Sequence, residues 1–244
     1  MNKKKDRVIK RRKSRHLVIG AGEVGRALFE ILKKNFDVSL RDKEGETGEH
    51  YDVLHIAYPP FSGFVKATKK YMREYGAPLV IVHSTVPVGT TKRLGASAVH
   101  SPIRGVHPHL TKGIRTFVKY FGGPKAVSAA RYFSKLGIPV KTFKDAETTE
   151  LLKILDTTYY GWNIMFAKEA KTLCEKFGVD FDDVYTVSNR DYNDGYAKLG
   201  MEHVTRPVLK YVRGKIGGHC VIPNTKLLKS WMTDTLKKRN EQYQ

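Results

Sequence analysis

The segment from His16 to Asp42, HLVIGAGEVGRALFEILKKNFDVSLRD, restricts the fold more than any other part of the chain. HLVI reads as a short strand, GAGEVG as a tight turn, and Val24, Ala27, Leu28, Ile31 and Leu32 recur at helical spacing up to Asn35. FDVSLRD is then a second strand that ends on Asp42, 22 residues after Gly20. A glycine trio alone means little. In this order, with a terminal acid, it predicts a dinucleotide-binding βαβ start.

Each residue of the turn has a physical task. Gly20 permits the sharp bend, Gly22 lets backbone approach a pyrophosphate, and Gly25 lets helix and strand pack closely. Glu23 and Val24 open the helix, whose free N–H groups attract phosphate. Asp42 is placed to accept hydrogen bonds from ribose hydroxyls, which favours NAD. Arg41 and Lys43 flank it, and this leaves NADP open.

The alternation of strand and helix continues. YDVLHIAYPP is a strand that stops at the prolines, residues 61–75 are helical, and APLVIVHSTVPVGTT is a strand running into a polar turn. Tyr58, Pro59, Ser84 and Thr85 fall where strand ends line a cofactor crevice. FVKYFGG, a helix over 124–136 and the strand IPVKTF complete an N-terminal Rossmann-type, doubly wound parallel sheet over residues 16–145. Residues 146–244 form a helical domain. Its main element runs from Glu147 to Phe177 with Gly161 as the single glycine, and it is apolar on more than one face. That pattern predicts burial on several sides and a homodimer packed through this helix. Asp180, with Asp183 three residues later, caps a further helix. RDYNDGY, residues 190–196, reads as a polar lid or connector.

The totals exclude several classes. With two cysteines, Cys174 and Cys220, there is no disulfide framework. No apolar run reaches membrane-span length, and the basic N-terminus lacks the apolar stretch of a secretory signal, so a cytoplasmic location is expected. The net charge is +20, of which +8 comes from nine Lys or Arg and one Asp in residues 1–15, a basic tail. This field attracts phosphates. Nucleic acid is a weak expectation, because no zinc-finger or aromatic RNA-binding motif accompanies the charge. His100, His107 and His109 lack metal-ligand spacing and read as a surface loop, so no metal is expected. Cys174 reads as a small core residue.

GKIGGHCVIPN, residues 214–224, sets the second cysteine on a glycine-rich turn. Together with GAGEVG, HSTVPVGTT and ETTELLK…FAKEAKTLCEKFGVDFDDV, in this order, it resembles the UDP-glucose/GDP-mannose (nucleotide-sugar) dehydrogenase family. The resemblance implies an NAD-dependent, four-electron oxidation of a sugar primary alcohol to a carboxylate. In it, Cys220 would be the nucleophile of a thiohemiacetal and a thioester. Lys153, the lysine of ELLK, would stabilise the oxyanion, with Thr157 and Asn224 positioning water and substrate. Gly217, Gly218, His219 and Arg104 would contact the sugar nucleotide. An ordinary thiol is only a few per cent thiolate at neutral pH, so Lys153, Lys215 and His219 matter as positive neighbours.

The sequence departs from the family's pattern at three places. Thr157 stands where the family has Asn, Asn224 where it has the Asp that helps activate water, and SPIRGVHPHL replaces its Pro-Glu-Phe-Leu substrate segment. The family also continues with a further nucleotide-binding domain where this sequence stops, 24 residues after Cys220. A non-catalytic NAD-binding module, or a dehydrogenase of a smaller acid or alcohol, are the alternative expectations.

Overall fold

A computed structural model describes residues 12–42, 50–105 and 109–244. It divides into two compact units, residues 1–151 and 152–244. The basic residues 1–11, Lys43 and His107 lie outside the described residues.

The first unit is built on a seven-stranded sheet: β1 Arg15–Ile19, β2 Asp37–Arg41, β3 Val53–Ile56, β4 Leu79–Val82, β5 Ala98–His100, β6 Lys119–Gly122 and β7 Val140–Phe143. Their order is β2-β1-β3-β4-β5-β6-β7. All neighbours are parallel except β5 and β6, which meet antiparallel at His100 and Gly122. The sheet is therefore mixed rather than wholly parallel. Helices α1 Glu23–Leu32, α3 Leu110–Thr116 and α4 Ala126–Ser134 cover one face, through Leu28, Ile31, Ile114 and Phe133. The opposite face packs on α2, Phe64–Tyr75. Strands buried on both sides explain the nearly unbroken apolar runs VLHI and LVIV.

The chain leaves β1 for β2 in one direction and returns to β3 in the other. This makes β1/β3 the switch point, the place where open α/β sheets take ligands at the carboxyl ends of their strands.

The second unit contains most of α5, an unbroken 32-residue helix over Ala146–Phe177. At 1.5 Å per residue it is about 48 Å long. A π-helical turn, Asp182–Val187, leads into α6, Ser188–Lys198. Asp180 accepts the Asp183 N–H at 3.0 Å, the predicted cap. The stretch RDYNDGY is thus helical, not a flexible lid. The rings of Tyr192 and Tyr196, one turn apart, meet tilted at 46°, and Asn193 exchanges hydrogen bonds with the Arg206 backbone. These local contacts offset the poor helix propensity of Asn, Asp and Gly. Two short helices follow, α7 Val221–Thr225 and α8 Trp231–Gln242.

Gly161, the one glycine of α5, lies where these helices pack. A Cβ there would stand 2.5 Å from Leu236 and 2.7 Å from Val221. The helix tolerates a poor helix former because the close approach needs it. Cys174 is buried beside Phe181 and Tyr185, as a core residue should be. Along the other side of α5, Tyr159, Phe166 and Leu173 recur every seven residues and are 62%, 65% and 53% exposed.

Candidate active site

The glycine turn has the geometry that its sequence requires. Gly20 follows β1 with φ +107°, and a Cβ there would meet Tyr58 N at 2.8 Å. A Cβ on Gly25 would lie 1.7 Å from the Gly20 carbonyl oxygen. Both positions are closed to any side chain. Gly22 differs, since nothing lies within 4 Å of its Cβ position. It is the N-cap of α1 and provides no side-chain cap, so the first N–H groups of the helix are left for another acceptor. An open backbone surface beside an uncapped helix start fits a phosphate-bearing dinucleotide. Glu23 and Val24 begin the helix, and Asp42 is exposed directly after β2.

Tyr58, Pro59, Ser84 and Thr85 all follow the carboxyl ends of β3 and β4. Their hydroxyls are partly committed elsewhere. Tyr58 Oη shares a 2.5 Å hydrogen bond with Thr68 Oγ1 on α2, and burial pushes its pKa up to about 12. Ser84 Oγ donates to Tyr58 O at 2.6 Å, which joins the ends of β3 and β4. The hydroxyls of Tyr58 and Ser84 are thus engaged within the first unit.

Glu150 was not singled out beyond its place in ELLK, yet it organises the turn after β4. It is fully buried, and its carboxylate accepts the N–H of Gly89 at 2.6 Å and of Thr91 at 2.8 Å. Burial raises its pKa, while these hydrogen bonds oppose that rise. HSTVPVGTT and ETTELLK are therefore one physical unit. The pairing of an acid with an upstream turn of free N–H groups is the signal that could have identified it.

His100 requires a correction. It lies in β5 at 0% exposure, not in a surface loop. Its Nδ1 bonds Thr149 Oγ1 at 2.9 Å and its Nε2 bonds Ser84 O at 3.2 Å. His109 is exposed before α3. Arg104, expected at substrate, lies with its guanidinium 5.0 Å from the Tyr120 ring and 5.6 Å from that of Phe117.

A further buried array escaped the sequence reading. His16, His55 and His83 lie on the α4 side of β1, β3 and β4 and form a hydrogen-bonded row. His16 Nδ1 is 2.9 Å from His55 Nε2, His55 Nδ1 is 3.0 Å from His83 Nε2, and His83 Nδ1 is 2.9 Å from Ser101 O. Lys119 Nζ closes the row, donating to Ser101 O at 3.1 Å. One histidine in each of HLVI, VLHI and VIVHS was the available signal.

In the second unit the residues expected to carry chemistry are partly brought together. Thr157, one turn after Lys153 on α5, donates its hydroxyl to Ile154 O at 3.0 Å. Asn224 Nδ2 donates to Thr157 Oγ1 at 3.3 Å, and both residues are buried. Cys220 is the N-cap of α7, half-buried beside Val221, and stands one turn before Asn224. Two i,i+4 steps joined by one hydrogen bond thus link the Lys153 turn to the thiol turn. Gly217, Gly218 and His219 are exposed on the loop that leads to Cys220, and Gly218 has φ +83°. Lys168 holds the start of that loop, donating to Gly214 O at 2.7 Å and also to Val212 O. Asn240 Oδ1 accepts the Ile216 N–H at 2.6 Å.

Comparison with known proteins accords with this organisation. Residues 147–238 match the model of the UDP-glucose/GDP-mannose dehydrogenase family, central domain. The UDP-N-acetyl-D-mannosamine dehydrogenase of Methanococcus maripaludis is 26% identical over 152 residues, 59% of this chain and 33% of that relative. The chain thus matches about a third of that relative's length. Among solved structures, the UDP-D-ManNAc dehydrogenase of Pyrococcus horikoshii superposes with TM-score 0.73 at 20% identity, covering 93% of this chain and 68% of the other. Mycobacterium tuberculosis 3-hydroxyisobutyrate dehydrogenase shares the fold with TM-score 0.69 at 14% identity, covering 93% and 92%. No helix among the described residues is long and apolar enough to cross a membrane. The match to the UDP-glucose/GDP-mannose dehydrogenase family thus covers residues 147–238, the stretch that holds Glu150, Lys153, Thr157 and the thiol loop.

Proposed function

We propose that the protein is an NAD-dependent oxidoreductase that oxidises the primary alcohol of a nucleotide sugar to the carboxylate. The first unit holds the dinucleotide: the turn from Gly20 to Gly25 and the start of α1 take the pyrophosphate, and Asp42 takes the ribose. Tyr58, Pro59, Ser84 and Thr85 line its path. When bound, NAD supplies the hydride acceptor for the alcohol and for the thiohemiacetal.

The second unit supplies the covalent chemistry. Cys220 adds its sulfur to the aldehyde carbon, forming a C–S bond, and the carbonyl oxygen takes up the developing negative charge. Lys153 stabilises that oxyanion. After oxidation to the thioester, water attacks the carbonyl carbon, the C–S bond breaks and the thiolate leaves. Thr157 and Asn224 hold that water and the substrate. Gly217, Gly218, His219 and Arg104 contact the sugar nucleotide, and the exposed Tyr159–Phe166–Leu173 stripe of α5 forms the homodimer contact. The cytoplasm, where nucleotide sugars are made, is the compartment this reading implies.

The observation that supports the reading best is the Asn224–Thr157 hydrogen bond, which ties the thiol loop to the Lys153 turn inside the region matched by the family model. The test is NADH production from UDP-glucose and UDP-N-acetylhexosamines. UDP-N-acetyl-D-mannosamine heads the panel because relatives carry that substrate in their names. Steady turnover that disappears in Cys220→Ala supports the proposal.

One observation favours a second reading, a non-catalytic NAD-binding module. Asn224 is not a base, and its amide is already committed to Thr157. Dinucleotide binding with no turnover on any sugar nucleotide would select it. Turnover that survives Cys220→Ala would point instead to a dehydrogenase of a smaller acid or alcohol.

A further inference from the structure

Asp42 has a charged neighbour of opposite sign whose side chain is held elsewhere. Arg41 ends β2, and its carbonyl accepts the Gly20 N–H at 2.8 Å, so its backbone belongs to the glycine turn itself. Its side chain does not serve the turn. Nη1 donates to Glu74 Oε1 at 2.7 Å and also contacts the Tyr75 hydroxyl. The guanidinium carbon lies 5.3 Å from the Tyr71 ring centre and 5.6 Å from that of Tyr75. All three contacts are on the C-terminal half of α2.

Strand alternation sends it there. Val38 and Leu40 pack against the cluster on the α1 side, so Arg41, one residue on, faces α2 across the sheet. The pair is largely shielded, with side-chain exposures of 13% for Arg41 and 24% for Glu74. Shielding strengthens the attraction relative to a surface pair. Yet Arg41 Nε is buried with no hydrogen-bond partner among the described residues. The guanidinium is kept in place by Glu74 and by cation–π contacts with Tyr71 and Tyr75, and not by satisfaction of all its donors.

We propose that Glu74 sets the dinucleotide preference of this protein. An arginine at the end of the second strand is the group that accommodates a ribose 2′-phosphate, because its planar fork matches phosphate oxygens. Glu74 retains that arginine against α2, so that of the two residues Asp42 is the one left to meet the ribose. The preference for NAD over NADP therefore has two parts: repulsion by Asp42, and withholding of Arg41 by a residue that itself touches no nucleotide. This inference rests on the dinucleotide reading of the first unit.

Calorimetric titration of NAD and NADP into wild type, Asp42→Ala, the pair Asp42→Ala/Glu74→Ala and the triple variant adding Arg41→Ala tests it. One charge-assisted hydrogen bond to phosphate corresponds to about tenfold in affinity or more. The pair should bind NADP at least about tenfold more tightly than Asp42→Ala alone, with NAD affinity little changed, and Arg41→Ala should cancel that gain. Glu74→Gln, which keeps size and loses charge, should shift the ratio in the same direction by less. Melting curves establish that each variant is folded. Equal NADP affinity in Asp42→Ala and in the pair, or a gain that survives Arg41→Ala, would overturn the proposal while leaving the dinucleotide reading intact. A folded wild type that binds neither nucleotide would overturn both.

Discussion

His55 Nδ1 and His83 Nε2 lie 3.0 Å apart inside the sheet, each ring buried and stacked nearly parallel to the other at 10°. The direction of this bond is set at its far end. Ser101 O can only accept, so His83 Nδ1 carries the proton, its Nε2 accepts from His55 Nδ1–H, and His55 Nε2 accepts from His16 Nδ1–H. All three imidazoles are neutral, and His16 Nε2 is left buried without a partner among the described residues.

Acid should therefore unfold the first unit. Burial lowers His16 to about 4 and holds His55 and His83 well below the ordinary histidine value of 6.5. The positive charge of Lys119 and neighbouring imidazoles depress the latter two further, while Asp52 opposes the fall at His16. As pH falls below 6.5 the unfolded chain takes up protons that the native chain refuses, so stability is lost from there downward. Each imidazole contributes about 1.4 kcal/mol per pH unit in that window. His16→Asn, whose amide can still donate to His55, should reduce the slope of urea-derived stability against pH by about one proton. An unchanged slope would contradict the neutral row.

Lys119 carries the same rise into the alkaline range. Burial pushes it down to about 7. Between there and the ordinary lysine value of 10.5 the unfolded chain holds a proton that the native chain has lost, so this group makes stability rise with pH. The rise should be absent in Lys119→Met, measured by the same urea titrations from pH 7 upward.

Gly22 and Gly25 should separate binding from folding. Gly25→Ala drives a Cβ into the Gly20 carbonyl and should cost on the order of 1–3 kcal/mol or more, read from urea unfolding. Gly22→Ala meets open space and should change stability by about 1 kcal/mol at most, while dinucleotide affinity falls in calorimetry.

Glu150→Ala should leave the buried Thr91 N–H and the half-buried Gly89 N–H without their acceptor. Two such groups correspond to roughly 2–4 kcal/mol of lost stability. Hydrogen exchange should localise the loss to those amides, whose protection should fall before that of β4.

Asn224→Asp places a carboxylate beside the Thr157 hydroxyl, 3.3 Å away in the wild type. If thioester hydrolysis limits turnover, this variant should raise the steady rate of NADH formation relative to the initial burst, by about tenfold or more for a restored general base. A burst and steady rate equal to wild type would remove Asn224 from the hydrolytic step.

Features that depend on neighbours in sequence were legible without coordinates. The strand–turn–helix–strand run to Asp42, the unbroken helix through Phe177 and the Asp180 cap all arise from local periodicity, glycine conformations and side chain-to-backbone bonds. Three-dimensional pairing decided the rest. The parallel register staggers His16, His55 and His83 into one row, places His100 inside β5 and sets Glu150 under a turn about sixty residues before it. Side-chain packing turns Arg41 toward Glu74 in the first unit and, in the second, joins Asn224 to Thr157, 67 residues apart. The physical reason is range: periodicity and capping act within one turn or strand, whereas a buried polar group's partner is chosen by whichever backbone or side chain the packed sheet and helices bring within about 3 Å.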